Sequence, residues 1–386
     1  MSAQTTAARE PGTTQELGVN IEGTLDRAEQ LAQAGADTSL SNEVVRKPGG
    51  PEKEKERGTK PWLLSGPLDL LFVVNIAWPV VALFTALFAQ SAANQAFGFL
   101  LVYFVIMPHR WITLPLVFAD REKFSQRPAA YLAVLAGVVL LCSSIKLGMQ
   151  SLALLVAIDY VWNAWHFAAQ HGGIFRIYCV ATPEGRATSG RMEKYLLRAF
   201  FLFTLLRLTG MFLPDGSEGW LAWATAVGPY VAMLDFVALA IPLFLIGREV
   251  VRYQPGHLGR LLYVTSICGL YATLLLAIRY DARALIVGCA AATTLVHSSE
   301  YLAIVSWYAP KRGGFKQSKV LGPMIRSWGV TLVAFMSIFA ISAYFLRNSE
   351  YLPLWLWINI NVSLLHYAYD GMIWKRPKKK PTAAAA

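Results

Sequence analysis

The chain has 386 residues and a mass of 42.6 kDa, and 55% of its residues are hydrophobic while only 15% are charged. Soluble domains average about 45–50% apolar and about 25% charged residues, so this composition, with a mean hydropathy of +0.42, excludes an ordinary soluble enzyme. The formal net charge of +11 comes from basic groups that stand between apolar runs. That pattern fits anionic lipid headgroups and predicts no nucleic-acid partner.

The two ends of the chain are predicted to be cytoplasmic tails. Residues 1–60 contain no aromatic residue and are rich in Ala, Gly, Thr, Glu and Lys. Such a segment cannot bury enough apolar surface to offset its conformational entropy, so we predict a disordered tail over 1–62. The first apolar run begins only near Leu63, which predicts no signal peptide. Residues 377–386 form a basic and Ala-rich tail.

The segment between the tails, 63–376, is predicted to be an all-α, polytopic membrane bundle. A helix needs about 20 apolar residues to cross the hydrocarbon core, and about ten runs reach that length. No period-2 pattern of a barrel is present, so helices are the expected way to cross. The runs lie at 67–90, 95–118, 129–147, 149–174, 195–213, 219–246, 260–279, 283–308, 328–346 and 353–374.

The connections between the runs alternate between basic and less basic sequences. Since cytoplasmic loops carry the excess of Lys and Arg, the alternation predicts that both termini lie in the cytoplasm and that the chain resides in the cytoplasmic membrane. The connection with Arg279 and Arg283 blurs the pattern. In this topology the even-numbered spans all run in the same direction.

Several residues inside the runs are assigned structural roles. Arg207 and Asp235 are predicted to form an ion pair that lowers the cost of burying both. Gly172 and Gly173 are expected to loosen the inner end of the fourth span. The cysteines form no CxxC pair, so we predict buried small hydrophobic side chains at Cys142, Cys179, Cys268 and Cys289.

Five of the six histidines fall in even-numbered runs and predict a metal site. Ionisable residues within lipid-embedded helices are costly and are functional candidates by default. At 1.5 Å per residue, the distance from four of these histidines to the next charged residue implies one shared depth. Imidazoles from four helices at one depth are what a buried metal site needs. The candidate ligands are His109, His166, His171, His297 and His366.

Carboxylates accompany the histidines at helical spacing. Glu300 is at i+3 from His297, and Asp370 is at i+4 from His366, so each pair shares a helix face. Asp159 lies two turns before His166. A carboxylate can complete the metal's ligand set or orient a ligating imidazole.

The residues alone leave the metal and its chemistry open. Imidazole with carboxylate suits iron, copper, zinc or manganese, and open positions fit non-haem Fe(II) oxygen chemistry. Two histidines facing each other would instead hold haem b. A lipid hydroxylase or desaturase with two metal ions is another alternative, as is an ion or proton path lined by buried carboxylates.

Four segments resemble, in order, the histidine motifs of the Brp/Blh family of membrane β-carotene 15,15'-dioxygenases. They are MPHRWIT (107–113), WHFAAQH (165–171), LVHSSEYLAIVSW (295–307) and LLHYAYDGMIWKRP (364–377). The resemblance implies that His109, His166 and His297 bind iron and that His366 is a ligand or close partner with Asp370 beside it. It also implies cleavage of a carotenoid by O₂ to retinal-type aldehydes.

The chain departs from the family pattern at several positions. Arg110 stands where the family has Gly, and Thr113 where it has an acid. Tyr301 replaces the second histidine of the third motif, and His171 or Glu300 is the candidate substitute. The histidines at one depth and the resemblance together predict an intramembrane Fe(II) oxygenase acting on a lipid-soluble substrate. Its predicted catalytic residues are Glu300, Asp370 and Tyr301, and the residues expected to line the substrate are Tyr301, Tyr367 and Trp165.

Overall fold

The structure is a computed structural model, and it describes residues 61–182, 190–209, 218–311, 321–346 and 349–374. Apart from its last two residues, the predicted N-terminal tail lies outside the described residues. The predicted C-terminal tail, 377–386, lies outside them as well.

The described residues form helices and no strand, which confirms the all-α prediction. Each long helix overlaps one predicted apolar run. We number these helices α1 Gly66–Leu87, α2 Ala92–Phe118, α3 Pro128–Met149, α4 Ala153–Ala181, α5 Arg191–Thr209, α6 Glu218–Val251, α7 Leu258–Arg279, α8 Arg283–Tyr308, α9 Trp328–Leu346 and α10 Leu352–Ile373.

Six helices among the described residues are long and apolar enough to cross a membrane: α1, α2, α3, the Tyr230–Val251 part of α6, α7 and α9. They indicate a membrane protein. In α3 and in α9, only 11% of the most apolar 18-residue stretch is buried. In α7, 56% of the corresponding stretch is buried. Helices α3 and α9 therefore present their apolar side chains outward, and α7 lies in the interior.

Two of the apolar helices are irregular. Asn75 interrupts α1 with a left-handed backbone (φ 55°), a conformation that Asn tolerates better than most residues. Its side-chain amide donates to the carbonyls of Phe72 and Val73, and its Oδ1 accepts a hydrogen bond of 2.8 Å from Ser299 on α8. Helix α2 widens into a π-helical segment at Leu101–Ile106, immediately before the turn that carries His109.

Glycines allow the closest helix contacts. A Cβ on Gly288 of α8 would overlap the backbone oxygen of Ala82 on α1. The expectation that Gly172 and Gly173 loosen α4 is wrong, because α4 continues without a break to Ala181. A Cβ on Gly172 would lie 3.1 Å from the backbone oxygen of Lys194, so this glycine lets α5 pack closely on α4.

Two structural predictions are confirmed. Arg207 binds both carboxylate oxygens of Asp235, at 2.9 and 3.0 Å, and Arg279 lies 3.6 Å from the same carboxylate. Asp235 is fully buried, so the two guanidinium groups compensate its charge. The four cysteines are all buried free thiols.

Candidate metal centre

Four of the five predicted histidines meet in the interior, each from a different helix. The ring of His109 on α2 lies 5.3 Å from that of His297 on α8 and 5.1 Å from that of His366 on α10. The ring of His166 on α4 lies 5.0 Å from His297 and 4.6 Å from His366. The four imidazoles therefore form a closed circle, which we call the histidine cluster. All four are at most 6% exposed.

The possible ligand atoms of the cluster lie close enough together that they could hold one metal ion. Nε2 of His166 and Nε2 of His366 are 3.0 Å apart. Two nitrogens bound at right angles at about 2.1 Å from one ion would be separated by about 3.0 Å. Ligand atoms of His109, His297 and His366 all lie within 4.8 Å of one another, and so do those of His166, His366 and Asp370.

The imidazole of His297 has no hydrogen-bond partner among the described residues. Neither ring nitrogen has one, although the side chain is fully buried. Its ring stacks on Phe167, with the centroids 3.7 Å apart. Leaving a buried polar group unsatisfied costs about 1–3 kcal/mol. His109 is similar, because its Nδ1 contacts Ser298 Oγ at 3.0 Å while its Nε2 is unpartnered. Free buried nitrogens that face one another fit a metal ion.

A chain of hydrogen bonds fixes the tautomer of His366. Tyr301 donates its single hydroxyl proton to Asp370 Oδ1 at 2.8 Å. The Tyr301 oxygen then accepts from Thr113 Oγ1 at 2.7 Å, and Thr113 Oγ1 accepts from Nδ1 of His366 at 2.6 Å. The proton of His366 is thereby held on Nδ1, and the lone pair of Nε2 points at His166. Ligating histidines are usually oriented by such partners.

Asp370 is both the end of this chain and a candidate ligand. Its Oδ2 lies 3.8 Å from Nε2 of His166 and 3.9 Å from Nε2 of His366. Its Oδ1 also accepts a hydrogen bond from Trp374 at 3.3 Å. One oxygen is therefore anchored while the other faces the cluster. Tyr301 is 3% exposed and contacts Asp370 through its hydroxyl, which gives it a positioning role.

His171 and Glu300 lie beside the cluster in a polar group of their own. Nδ1 of His171 is 2.9 Å from Glu300 Oε2, and its Nε2 is 3.1 Å from the hydroxyl of Tyr271. Both nitrogens of His171 are thus occupied, and neither residue belongs to the groups with metal-ligand spacing. Gln170 donates to Glu300 at 3.1 Å and to the backbone oxygen of His297 at 2.8 Å, which links this group to α8.

The residues expected to line a substrate separate into two environments. Tyr367 packs against the cluster, with its ring 5.0 Å from that of His166. Trp165 is 50% exposed and lies on the outside of the bundle, next to Arg198. Trp165 therefore does not pack against the cluster, and its role in lining a substrate that enters from lipid stays a prediction.

Sequence reasoning missed the roles of Thr113, Ser298 and Phe167. Thr113 was noted only as a departure from a family pattern, although its i+4 spacing from His109 places both on one helix face. Ser298 and Phe167 directly follow His297 and His166 in the chain, and no spacing rule distinguishes such neighbours. No family model, curated protein or solved structure matches this chain.

Proposed function

We propose that this protein is an intramembrane non-haem iron oxygenase that acts on a lipid-soluble substrate. The observation that carries the proposal is His297, a fully buried imidazole whose two nitrogens have no partner among the described residues, within a circle of four histidines. All ten long helices would cross the cytoplasmic membrane, with both termini in the cytoplasm. Helices α4, α8 and α10 have 29, 26 and 22 residues, enough for about 30 Å of hydrocarbon.

The geometry supports one metal ion. The two groups with ligand spacing share His366, whose Nδ1 is engaged by Thr113, so only its Nε2 is available. A single nitrogen cannot serve two separate ions. The proposed ligands are His109, His166, His297 and His366 with Asp370, and His171 is outside this set because both its nitrogens are hydrogen-bonded.

The same geometry disfavours haem. Nε2 of His166 and Nε2 of His366 are 3.0 Å apart, and both rings also contact His297 or His109. A porphyrin plane between the facing pair would have to displace these neighbouring rings. The mixture of imidazole and carboxylate without a thiolate suits iron, and the resemblance to the Brp/Blh family favours iron over copper, the alternative that the metal assay below tests.

Bound Fe(II) would supply the capacity to activate O₂ toward a carbon–carbon double bond. The protein's own side chains provide the surroundings of that chemistry. Phe167 and Tyr367 pack against the cluster and exclude water from it. The chain from Asp370 through Tyr301 and Thr113 keeps His366 in its binding tautomer. The resemblance to the Brp/Blh family supports a carotenoid as the substrate and retinal-type aldehydes as products.

The metal site is tested with His297→Phe, which keeps the stacking on Phe167. We expect this variant to lose metal and to leave the stability of the metal-free protein unchanged or higher, because an unsatisfied polar group is removed. His257→Gln, a histidine outside the cluster, is the control and should retain the metal. The measurements are elemental analysis and thermal unfolding of purified protein with and without chelator. Full metal content in His297→Phe would contradict the site, copper in place of iron would change the metal, and a Soret band would indicate haem.

The reaction is tested by expression in cells that accumulate β-carotene. We expect the carotenoid colour to fade and retinal to appear, and His166→Ala to abolish both changes. Unchanged carotenoid in cells that contain correctly inserted, iron-loaded protein would reject the carotenoid assignment while leaving the metal site intact.

A further inference from the structure

Two helices present polar stripes of identical spacing beside the histidine cluster. The spacing is i, i+4, i+7 and i+11, so each stripe follows one helix face, and the histidine is the third residue of both. The stripes meet at the histidines, whose Nε2 atoms are 3.0 Å apart. They extend about two turns, or about 10 Å, beyond the histidines toward the N-terminal ends of α4 and α10. Their members are Asp159, Asn163, His166 and Gln170 on α4 and Asn359, Ser363, His366 and Asp370 on α10.

Arg110 of α2 reaches into the space between these stripes. Its NH1 donates to Ser363 Oγ and lies 3.9 Å from Asp159 Oδ2. The hydroxyl of Tyr367 donates to Asp159 Oδ1 at 3.1 Å. Because Tyr367 also packs on His166, this group is continuous with the cluster. Ser363 is one turn before His366, so the guanidinium lies about 5 Å from the level of the ligand nitrogens.

This group contains hydrogen-bonding capacity that the described residues do not use. The Nε of Arg110 is buried and has no acceptor, and the Oδ1 of Asn163 is buried and has no donor. Asn163 lies one turn from Asp159 on the same face of α4. The side chains of Arg110 and Asp159 are each 20% exposed, so a small group can still reach them. None of these residues is needed to hold the metal ion.

We propose that Arg110 and Asp159 bind a hydroxyl group at the end of the lipid-soluble substrate and thereby set its position relative to the histidine cluster. The proposal rests on the proposed function and names its substrate class: a long apolar molecule that ends in an alcohol. A hydroxyl can accept from Arg110 and donate to Asp159 or Asn163 at the same time. A pure hydrocarbon such as β-carotene would leave both the donor and the acceptor unsatisfied, so we expect it to remain a substrate but to bind more weakly than an alcohol of the same length.

The opposite charges of Arg110 and Asp159 favour a substrate that ends in a neutral group over one that ends in a carboxylate. Asp159 offsets the charge of Arg110, so a carboxylate would meet one attractive and one repulsive partner. Removing the negative charge with Asp159→Asn should therefore change the preference from an alcohol to a carboxylate. This is a gain of binding, which a misfolded protein cannot produce.

The inference is tested by binding rather than turnover. The probes are three apocarotenoids that share one polyene chain and end in a methyl, a hydroxymethyl or a carboxylate group. Affinity is measured by quenching of tryptophan fluorescence in iron-loaded protein in detergent. We expect the hydroxymethyl probe to bind at least tenfold more tightly than the other two. Arg110→Met should remove this preference, Arg110→Lys should restore part of it, and Arg198→Met, a substitution of the same type on α5, should leave it unchanged.

Five outcomes separate the hydroxyl-binding role of Arg110 and Asp159 from the oxygenase proposal or overturn that role. Equal affinities for the three probes, no binding of any probe, or an unaltered preference in both Arg110→Met and Asp159→Asn would overturn the inference. Cleavage of the methyl-ended and hydroxymethyl-ended probes with equal kcat/KM would also overturn it and leave the oxygenase proposal standing. A clear preference in binding with no cleavage of any probe would reject the carotenoid assignment of the proposed function while the assignment of Arg110 stands.

Discussion

Thr113→Val is the substitution that most directly tests how the ligand nitrogen of His366 is oriented. Valine has nearly the shape of threonine, so the packing of this fully buried side chain is retained while its hydroxyl is removed. Two hydrogen bonds are lost, one of 2.6 Å with His366 Nδ1 and one of 2.7 Å with the Tyr301 hydroxyl. Tyr301 keeps its bond to Asp370, so the main loss falls on His366.

The size of the expected loss of metal affinity depends on where His366 can place its proton once the Thr113 hydroxyl is removed. Its buried N–H loses its acceptor, which costs about 1–3 kcal/mol if the proton stays on Nδ1. Without metal, the proton can move to Nε2 and donate toward His166, which recovers part of that loss. With metal bound, Nε2 must stay unprotonated, so the lost hydrogen bond of Nδ1 cannot be replaced in this way. We therefore expect metal affinity to fall about 10–100-fold, as for other residues that orient metal ligands, which corresponds to about 1.4–2.7 kcal/mol.

The assay is competition for the metal with a chelator of known affinity, measured on purified protein in detergent. Thr85→Val is the matched control, because Thr85 is buried on α1 and its hydroxyl has no partner among the described residues. That variant should keep wild-type affinity and stability. Tyr301→Phe breaks the same chain, so the double variant with Thr113→Val should lose less affinity than the sum of the two single losses. Wild-type affinity in Thr113→Val, or strictly additive losses, would refute the orientation argument.

Two further predictions concern the scaffold. Gly288→Ala should lower the free energy of unfolding in detergent by about 1–3 kcal/mol or more, because the added methyl group would overlap the backbone of Ala82. Gly137→Ala, with nothing within 4 Å of its Cβ, should not, and equal stability of the two variants would contradict the close contact. Asp235→Asn should cost about 1–3 kcal/mol, because the partly exposed guanidinium groups of Arg207 and Arg279 lose their buried anionic partner. The exposed Asp281→Asn should have no measurable effect, and similar melting temperatures for these two variants would show that the buried carboxylate adds no stability.

The helices and the convergence of the histidines could be predicted because both follow from local spacing. Apolar runs of helical length located all ten long helices, and similar distances from the next charged residue predicted four histidines at roughly one level. His171 is the informative exception. It shares α4 with His166 and lies five residues away, which turns it about 140° around the helix axis. Its partners, Glu300 and Tyr271, come from α8 and α7, and no spacing along α4 indicates them.

The hydrogen-bond chain through Thr113 could not be predicted for a related reason. It joins side chains of α2, α8 and α10, and its direction depends on the carboxylate of Asp370 at its end. Periodicity shows which residues share a face of one helix. It does not show which faces of different helices meet, because that depends on tertiary packing. The outward position of Trp165 could not be predicted for the same reason, since an aromatic residue beside a buried histidine suits the core and the lipid surface equally.

Three of the four helices that carry the histidine cluster depend on their neighbours for an apolar outer surface. Helices α4, α8 and α10 contribute His166, His297 and His366, yet none of them is among the six most apolar spans. Polar side chains within a bilayer are costly unless they face the interior of the bundle, so these helices need the apolar surfaces of α1, α3 and α9 around them. The close contact at Gly288 packs α1 against α8, and Gly288 lies nine residues before His297. The stability of that shell and the affinity of the cluster for a metal ion should therefore be coupled, because a metal ion that binds only the packed bundle stabilises the packed bundle.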